Sequence, residues 1–331
     1  MGTILRHAIR LPGLAGLAGL AALIGLAACG SGGEGRAEGG VRMQAAAGQP
    51  AGERTAVPDP EPSTRAVSVK NIGSDTLVNL ALAWAEAYTA AHPQVRISVT
   101  GGGSGTGIAA LINRTIPLAN ASRAMSGEEI SSARAAGFEP LQHTVALDAI
   151  AVVVNPANPV DRLTIPQIAD IYTGRIRRWS EVGGQDRPIV LLSRESNSGT
   201  YVYFIEQVIR LGRKDNKDLP SPETLLMPSS EGISAEVRQN PNAIGYDGLG
   251  YVTADQKVLA VAAGEGRPYV RPEAATVLDG SYPIARPLYM YTAGEPQGAI
   301  AGYLSWILGD GQALIQELGF VPLSPGGGGT R

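Results

Sequence analysis

The sequence predicts an α/β protein, and three observations carry that class. From Val67 onward, short β-branched runs alternate with helical patterns, as expected of parallel strands joined by crossover helices. Hydrophobic residues make up 44% of the 331 residues, enough for proper cores in about two domains. Three strand-to-helix turns are rich in glycine and hydroxyl residues, and such turns lie where α/β sheets gather ligands.

The elements follow in order. Val67-Ser68-Val69-Lys70-Asn71-Ile72 reads as a strand, and 76–91 as a helix carrying Leu77, Leu80, Ala81, Trp84, Ala87 and Tyr88. A strand over 95–100 precedes a helix over 106–113 with Ile108, Leu111 and Ile112. Ser126-Gly127-Glu128-Glu129 looks like a helix start, giving a helix over 127–136. Two further strands are expected over 141–145 and 149–154, the second wholly apolar, then a helix over 166–172. The strand 188–193 leads into a helix over 200–211 with Tyr201, Phe204, Ile205, Val208 and Leu211 on one stripe. A helix over 232–239, strands over 258–263 and 284–291, and helices over 296–307 and 310–318 complete the folded part. No internal repeat is present.

The turns carry the chemistry. Ser74-Asp75-Thr76, Gly101-Gly102-Gly103-Ser104-Gly105-Thr106-Gly107 and Arg194-Glu195-Ser196-Asn197-Ser198-Gly199-Thr200 each end a strand and open a helix. A helix start offers unpaired N–H groups and about half a positive charge. Hydroxyl donors, a glycine permitting close approach and a guanidinium make such a turn an oxyanion cradle. One such turn alone is equally a serine cap beside a solvated arginine; three that converge point to a ligand.

Formal net charge is −3, and loss of a leader whose only charges are Arg6 and Arg10 takes it to −5. That balance argues against nucleic acid but not against a small anion, which local dipoles and single arginines decide. The one cysteine excludes an internal disulfide, and His7, His92 and His143 lie too far apart for a metal site. No cofactor is expected. Residues 1–28 read as a secretory signal peptide ending in Leu26-Ala27-Ala28-Cys29, a pattern resembling a lipobox in which Cys29 is acylated. Acyl chains, at about 0.8 kcal/mol per buried CH₂, would hold the protein at the membrane. Residues 29–66 read as a disordered tether and 324–331 as a disordered tail.

From about Val67 to Leu323 the chain resembles the phosphate-binding lipoproteins of bacterial phosphate ABC transporters. The markers are Gly73-Ser74-Asp75-Thr76, the glycine-rich run 101–107, Ala119-Asn120-Ala121-Ser122-Arg123, and Asp148 before its apolar run. Tyr172-Thr173-Gly174 with Trp179, Gly183-Gly184, Arg194 with Ser198-Gly199-Thr200, and Ala243-Ile244-Gly245-Tyr246 follow. Tyr282-Pro283, Arg286-Pro287-Leu288-Tyr289 and Gly319-Phe320-Val321-Pro322-Leu323 close the series. The resemblance implies a two-lobe periplasmic-binding-protein fold of type II, with the ligand in the interlobe cleft and enclosed by hinge closure. It places lobe one at 67–153 plus 247–323 and lobe two at 154–246. It also implies an extracytoplasmic, lipid-anchored monomer that delivers inorganic phosphate to permease subunits and is not an enzyme.

The phosphate ligands expected from the turns and the resemblance are Ser74, Thr76, Ser104, Ser122, Arg123, Asp148, Arg194, Ser198, Gly199 and Thr200. Arg194 is expected to be the main cationic contact. The better-known branch of the family has a carboxylate at the place of Arg123 to accept the proton of HPO₄²⁻. Asp148 becomes the expected acceptor here, able to admit phosphate and repel fully ionised sulfate. An Arg123–Asp148 structural ion pair is the alternative. Trp84, Tyr172 and Trp179 are expected in the core, and His143 as a satisfied strand residue.

Other functions find less support. Around Ser104 the serine-hydrolase pattern G-x-S-x-G fails, because Thr106 stands at the second glycine. Gly105-Thr106-Gly107-Ile108-Ala109-Ala110 fits a loose dinucleotide pattern without its acidic partner, and no Walker lysine exists. A binding protein for another oxyanion, or a phosphate sensor or adhesin, remains open at this level.

Overall fold

The structure, a computed structural model, describes residues 66–323. The predicted signal peptide with Cys29, the tether up to residue 65 and the tail lie outside the described residues.

Strand β1 (Val67–Gly73) runs through a 3₁₀ turn, Asp75–Leu77, into α1 (Val78–Ala91). Next come β2 (Val95–Thr100), α2 (Ser104–Ile112), β3 (Leu118–Ala121), α3 (Gly127–Ala135) and β4 (Pro140–Val154). The chain continues through β5 (Arg162–Thr164), α4 (Ile165–Tyr172), β6 (Val190–Arg194) and α5 (Gly199–Phe204). Then follow β7 (Leu225–Met227), α6 (Ser230–Gln239), β8 (Ala243–Gly248), β9 (Lys257–Val258), β10 (Ala260–Ala262) and α7 (Ala274–Leu278). Strand β11 (Ala285–Ala293), α8 (Gly298–Leu308) and α9 (Ala313–Glu317) end the described chain.

One sheet carries the order β2-β1-β3-β11-β4-β8-β6-β7, with β9 also on β4; β10 and β5 form a separate pair. The alternation predicted from sequence is there, and β2-β1-β3 and β8-β6-β7 are parallel. The sheet as a whole is mixed, because β11 is antiparallel to both β3 and β4, and β8 is antiparallel to β4.

The two strands expected over 141–145 and 149–154 are one strand of 15 residues. Ala146-Leu147-Asp148 contains no glycine or proline, so nothing breaks the extended backbone. Its first part pairs with β11 and its last part with β8, so β4 belongs to both ends of the sheet. The expected helix over 200–211 also changes character. It leaves α-geometry after Phe204, passes through a π turn over Ile205–Ile209, and stops where Leu211 and Gly212 adopt positive φ.

Apolar side chains cover both faces of the sheet. On the β1 side, Val69, Trp84, Leu118, Leu288 and Tyr303 pack on one face, and Ile108, Leu111, Ala121 and Tyr291 on the other. On the β6 side, Val152, Ile168, Tyr172, Phe204 and Tyr246 form the largest core, backed by Val153, Leu192, Ile233 and Val237. Val261, Val277, Tyr282 and Ile284 belong to that large core, and β10 pairs with β5. Residues 257–284 therefore pack with the elements of 154–246, although the boundaries taken from the resemblance assigned them to the other lobe. Leu259, Val261, Val277, Tyr282 and Ile284 find an apolar face there.

The expected packing residues are buried with their polar atoms paired. Trp84 Nε1 donates to Gly311 O (2.8 Å), Tyr172 Oη to Leu192 O (3.0 Å) and Trp179 Nε1 to Asn242 O (3.0 Å). His143 bonds Thr292 Oγ1 across the β4–β11 pair at 2.9 Å.

Candidate anion-binding site

The three hydroxyl-bearing turns converge. β1 delivers Ser74 and Thr76, the β2–α2 turn delivers Ser104, and the β6–α5 turn delivers Ser198, Gly199 and Thr200. Thr76 Oγ1 and Thr200 Oγ1, 124 residues apart in sequence, lie 2.8 Å apart. Ser104 Oγ lies 3.3 Å from Ser122 Oγ at the end of β3 and accepts the Ser122 N–H at 3.0 Å. All four side chains are buried. A Cβ on Gly199 would collide with the hydroxyls of both Ser104 and Ser122, so only glycine lets the start of α5 reach them.

The cation at this convergence is Arg286, from β11. Its Nη2 donates to Thr200 Oγ1 at 2.9 Å and reaches Thr76 Oγ1 at 3.5 Å, while Nη1 donates to Ser122 O at 2.9 Å. Nε and Nη2 grip Asp148 Oδ2 at 3.2 and 2.9 Å. The strand register explains the pairing, since Arg286 stands directly opposite Asp148 on β4. Asp148 Oδ1 accepts Leu249 N at 3.0 Å. Burial pushes the Asp148 carboxyl above its ordinary range, against the opposing pull of Arg286.

Arg194, the expected main contact, is placed differently. Its Nη2 donates to Asp75 Oδ2 (2.7 Å) and Pro228 O (3.0 Å), its Nη1 to Ser230 Oγ (3.0 Å) and its Nε to Met227 O (3.4 Å). It lies beside the hydroxyl cluster rather than in it and ties the β1 turn to β6. Nearby, Asn197 Nδ2 donates to Gly102 O at 2.9 Å and Gly105 N donates to Asn197 O at 3.0 Å. Gly102 N reaches Asp75 Oδ1 at 2.9 Å. These contacts join the glycine-rich turn to the Arg194 turn.

Arg123 requires a correction. It chelates Glu129, with both oxygens at 2.7 Å, and donates to Ala124 O; it pairs with neither Asp148 nor the hydroxyl cluster. The reason is local: Glu129 closes a capping box with Ser126 at the start of α3, which brings its carboxylate under the Arg123 fork. Burial alone would raise the Glu129 carboxyl, but the Arg123 and Ser126 hydrogen bonds hold it below its ordinary value. The Arg123–Asp148 ion pair does not form, because each group has a better-placed partner. Ser198 caps its own helix through Tyr201 N at 3.4 Å, and Ser74 Oγ is buried without a partner among the described residues.

Three groups escaped the sequence reading. Arg286 stood in a marker motif but received no role, although an aspartate opening an apolar strand demands a cation. Asp75 stood in the first turn but is not among the expected ligands. Asp247 on β8 was not singled out; it is buried with Oδ2 unpartnered, and burial pushes its carboxyl up to about 7 against the Ser230 hydroxyl and the Arg194 charge. Among the described residues no cluster of potential metal ligands occurs, and no helix is long and apolar enough to cross a membrane.

A mixed α/β sheet with hydroxyls, a glycine turn and a paired arginine meeting at its strand ends defines a solute-binding class of protein. A family model described as a PBP superfamily domain matches residues 58–311. A phosphate-binding protein PstS of Pseudomonas aeruginosa is 33% identical over 274 residues, covering 77% of this chain and 83% of that one. PstS of Bacillus subtilis is 31% identical over 255 residues, covering 76% and 79%. A Clostridium perfringens structure, described as a phosphate ABC transporter substrate-binding protein with bound phosphate, superposes with TM-score 0.69 at 31% identity, covering 78% of this chain and all of that one. The chain belongs to the PBP superfamily and, within it, to the family of PstS phosphate-binding proteins.

Proposed function

We propose that this protein binds inorganic phosphate outside the cytoplasm and delivers it to an ABC permease. The observation that carries the reading is the meeting of Thr76, Thr200 and Arg286, with the Ser104–Ser122 pair and Gly199 beside them. A tetrahedral oxyanion entering between the two threonines exchanges their mutual hydrogen bond for two bonds to ligand oxygens. Arg286 then supplies charge-assisted donation, and the helix start at Gly199–Thr200 supplies backbone N–H groups. The PstS relatives and the phosphate-bound Clostridium structure support phosphate as the ligand. The protein acts as a receptor, not an enzyme.

Asp148 is the group we assign to reading the phosphate proton. HPO₄²⁻ carries a hydrogen that a carboxylate accepts, and sulfate at the same pH carries none, so a buried carboxylate repels it. In this reading β4 and β11 form the hinge between two lobes, and the Arg194–Asp75 and Asn197 contacts close them. Acylation of Cys29 anchors the mature monomer to the membrane.

Titration calorimetry with phosphate, arsenate and sulfate tests the ligand assignment. Phosphate and arsenate should bind at one site per chain and sulfate should not; heat from sulfate alone would overturn it. Asp148→Asn should weaken phosphate and narrow the phosphate-to-sulfate ratio. An unchanged ratio with a lowered melting temperature would reduce Asp148 to a partner of Arg286. Cys29→Ser should release the protein from washed membranes at unchanged phosphate affinity.

A further inference from the structure

The candidate site has one closed side and one open side. On the closed side stand the Asn197 contacts to Gly102 and Gly105 and the Arg194–Asp75 pair. On the open side, Ser122, Arg123, Tyr203, Glu206, Gln207 and Arg286 are among the residues lining a cavity of about 420 Å³. Glu206 and Gln207 also line a second cavity, of about 380 Å³, so the two meet along this one stretch of helix.

The second cavity is cationic. Arg210, Arg213, Lys214 and Lys217 line it, against Glu206 as its one carboxylate. Arg213, Lys214 and Lys217 are exposed, and none has a carboxylate at ion-pair distance among the described residues. Two other acids occur in this loop: Asp218, whose carboxylate is held by Arg175 at 2.7 Å, and Asp215, which does not line the cavity. Four cations in one cavity run against the net charge of −3 of the whole chain.

From this placement we propose that the Arg210–Lys217 loop is the electrostatic entry to the binding site. It gathers small, doubly charged oxyanions and passes them across Glu206–Gln207 to Arg286 and the hydroxyls. The proposal rests on the phosphate reading and adds a route and a rate to it. A concave surface of one sign concentrates counter-ions and raises association rates by about 10- to 1,000-fold, an effect that salt screens over a Debye length of about 10 Å at 0.1 M. Because these side chains touch no hydroxyl of the cradle, they act on association and leave the bound state alone.

Rapid-mixing kinetics of inorganic phosphate with the mature protein tests this. The triple variant Arg213→Gln/Lys214→Gln/Lys217→Gln should lower the association rate constant about three- to tenfold at about 20 mM ionic strength. The deficit should vanish near 0.5 M, where the Debye length falls to a few ångströms. The dissociation rate should not move. Glu206→Gln, which removes the carboxylate at the junction, should raise the association rate instead. An unchanged association rate at low salt in both variants overturns the entry role, and so does an affinity change carried by dissociation. If the unaltered protein takes up no phosphate at any ionic strength, the ligand reading itself fails, a result distinct from normal binding with salt-independent association.

Discussion

Arg194 and Arg286 are both buried arginines with a carboxylate partner, yet they do different jobs. Arg286 and Asp148 face each other on adjacent strands, and the rest of the Arg286 fork turns toward Thr200 and Ser122. Arg194 spends its fork on Asp75, Ser230 and two backbone carbonyls, bridging residues 119 apart in sequence. The first aims a charge at the hydroxyl cluster; in the proposed reading the second is a latch between the β1 turn and β6. What separates the two is the groups they hold: Arg286 donates to Thr200 in the hydroxyl cluster, and Arg194 donates to Asp75, Ser230 and backbone carbonyls.

The largest effect should come from Arg286→Ala. It removes the charge at the hydroxyls and strands the buried Asp148, a loss of about 3–5 kcal/mol in stability for a broken buried pair. Phosphate affinity should fall by at least about a hundredfold. Calorimetry and thermal unfolding check both, and a loss under about tenfold would make Arg194 the principal cation after all.

Arg194→Ala should cost less, about ten- to fiftyfold in affinity, and should act by faster dissociation because the latch is gone. Asp75 is partly exposed and can hydrate when unpaired, unlike Asp148. Equal losses in the two alanine variants would erase the distinction between ligand and latch.

Asp247 sharpens the comparison through pH. Its folded-state pKa of about 7 exceeds the ordinary aspartate value near 4, so the folded protein holds a proton that the unfolded chain releases. Stability therefore carries no penalty from this group below about pH 4, declines as pH rises from there to about 7, and stays lowered above. Asp247→Asn should flatten that decline and leave the variant more stable than the parent at pH 8. Parallel melting curves of both proteins between pH 4 and 8 would disprove the shift. The smallest effect belongs to Arg123→Ala. Its fork is held by Glu129 outside the hydroxyl cluster, and phosphate affinity should change less than threefold.

What could be read from the sequence tracks how local each cause is. Hydroxyls and glycines at helix starts follow from spacing over a few residues, so Thr76, Ser104, Gly199 and Thr200 were legible as site candidates. The Arg123–Glu129 pair was within reach too, because Ser126 and Glu129 have capping-box spacing. Asp148 announced a need for a cation but not which one. Its partner lies 138 residues away and is fixed only by the β4–β11 register. The packing of 257–284 was hidden for the same reason, since an apolar strand does not say which of two cores it joins.

The sheet order has a consequence for how the chain acquires its structure. β11 lies between β3 and β4, so the sheet begun at Val67 stays split until Ala285–Ala293 arrives. β4 likewise waits about ninety residues for β8. Pairings this distant make closure entropy an early cost and slow the approach to the native state. The final strand is also the one that brings Arg286. Until it docks, Asp148 has no counter-charge, and the hydroxyls gathered by the earlier turns lack the cation that organises them. Docking of β11 thus joins the parts of the sheet and supplies the site's cation in one step.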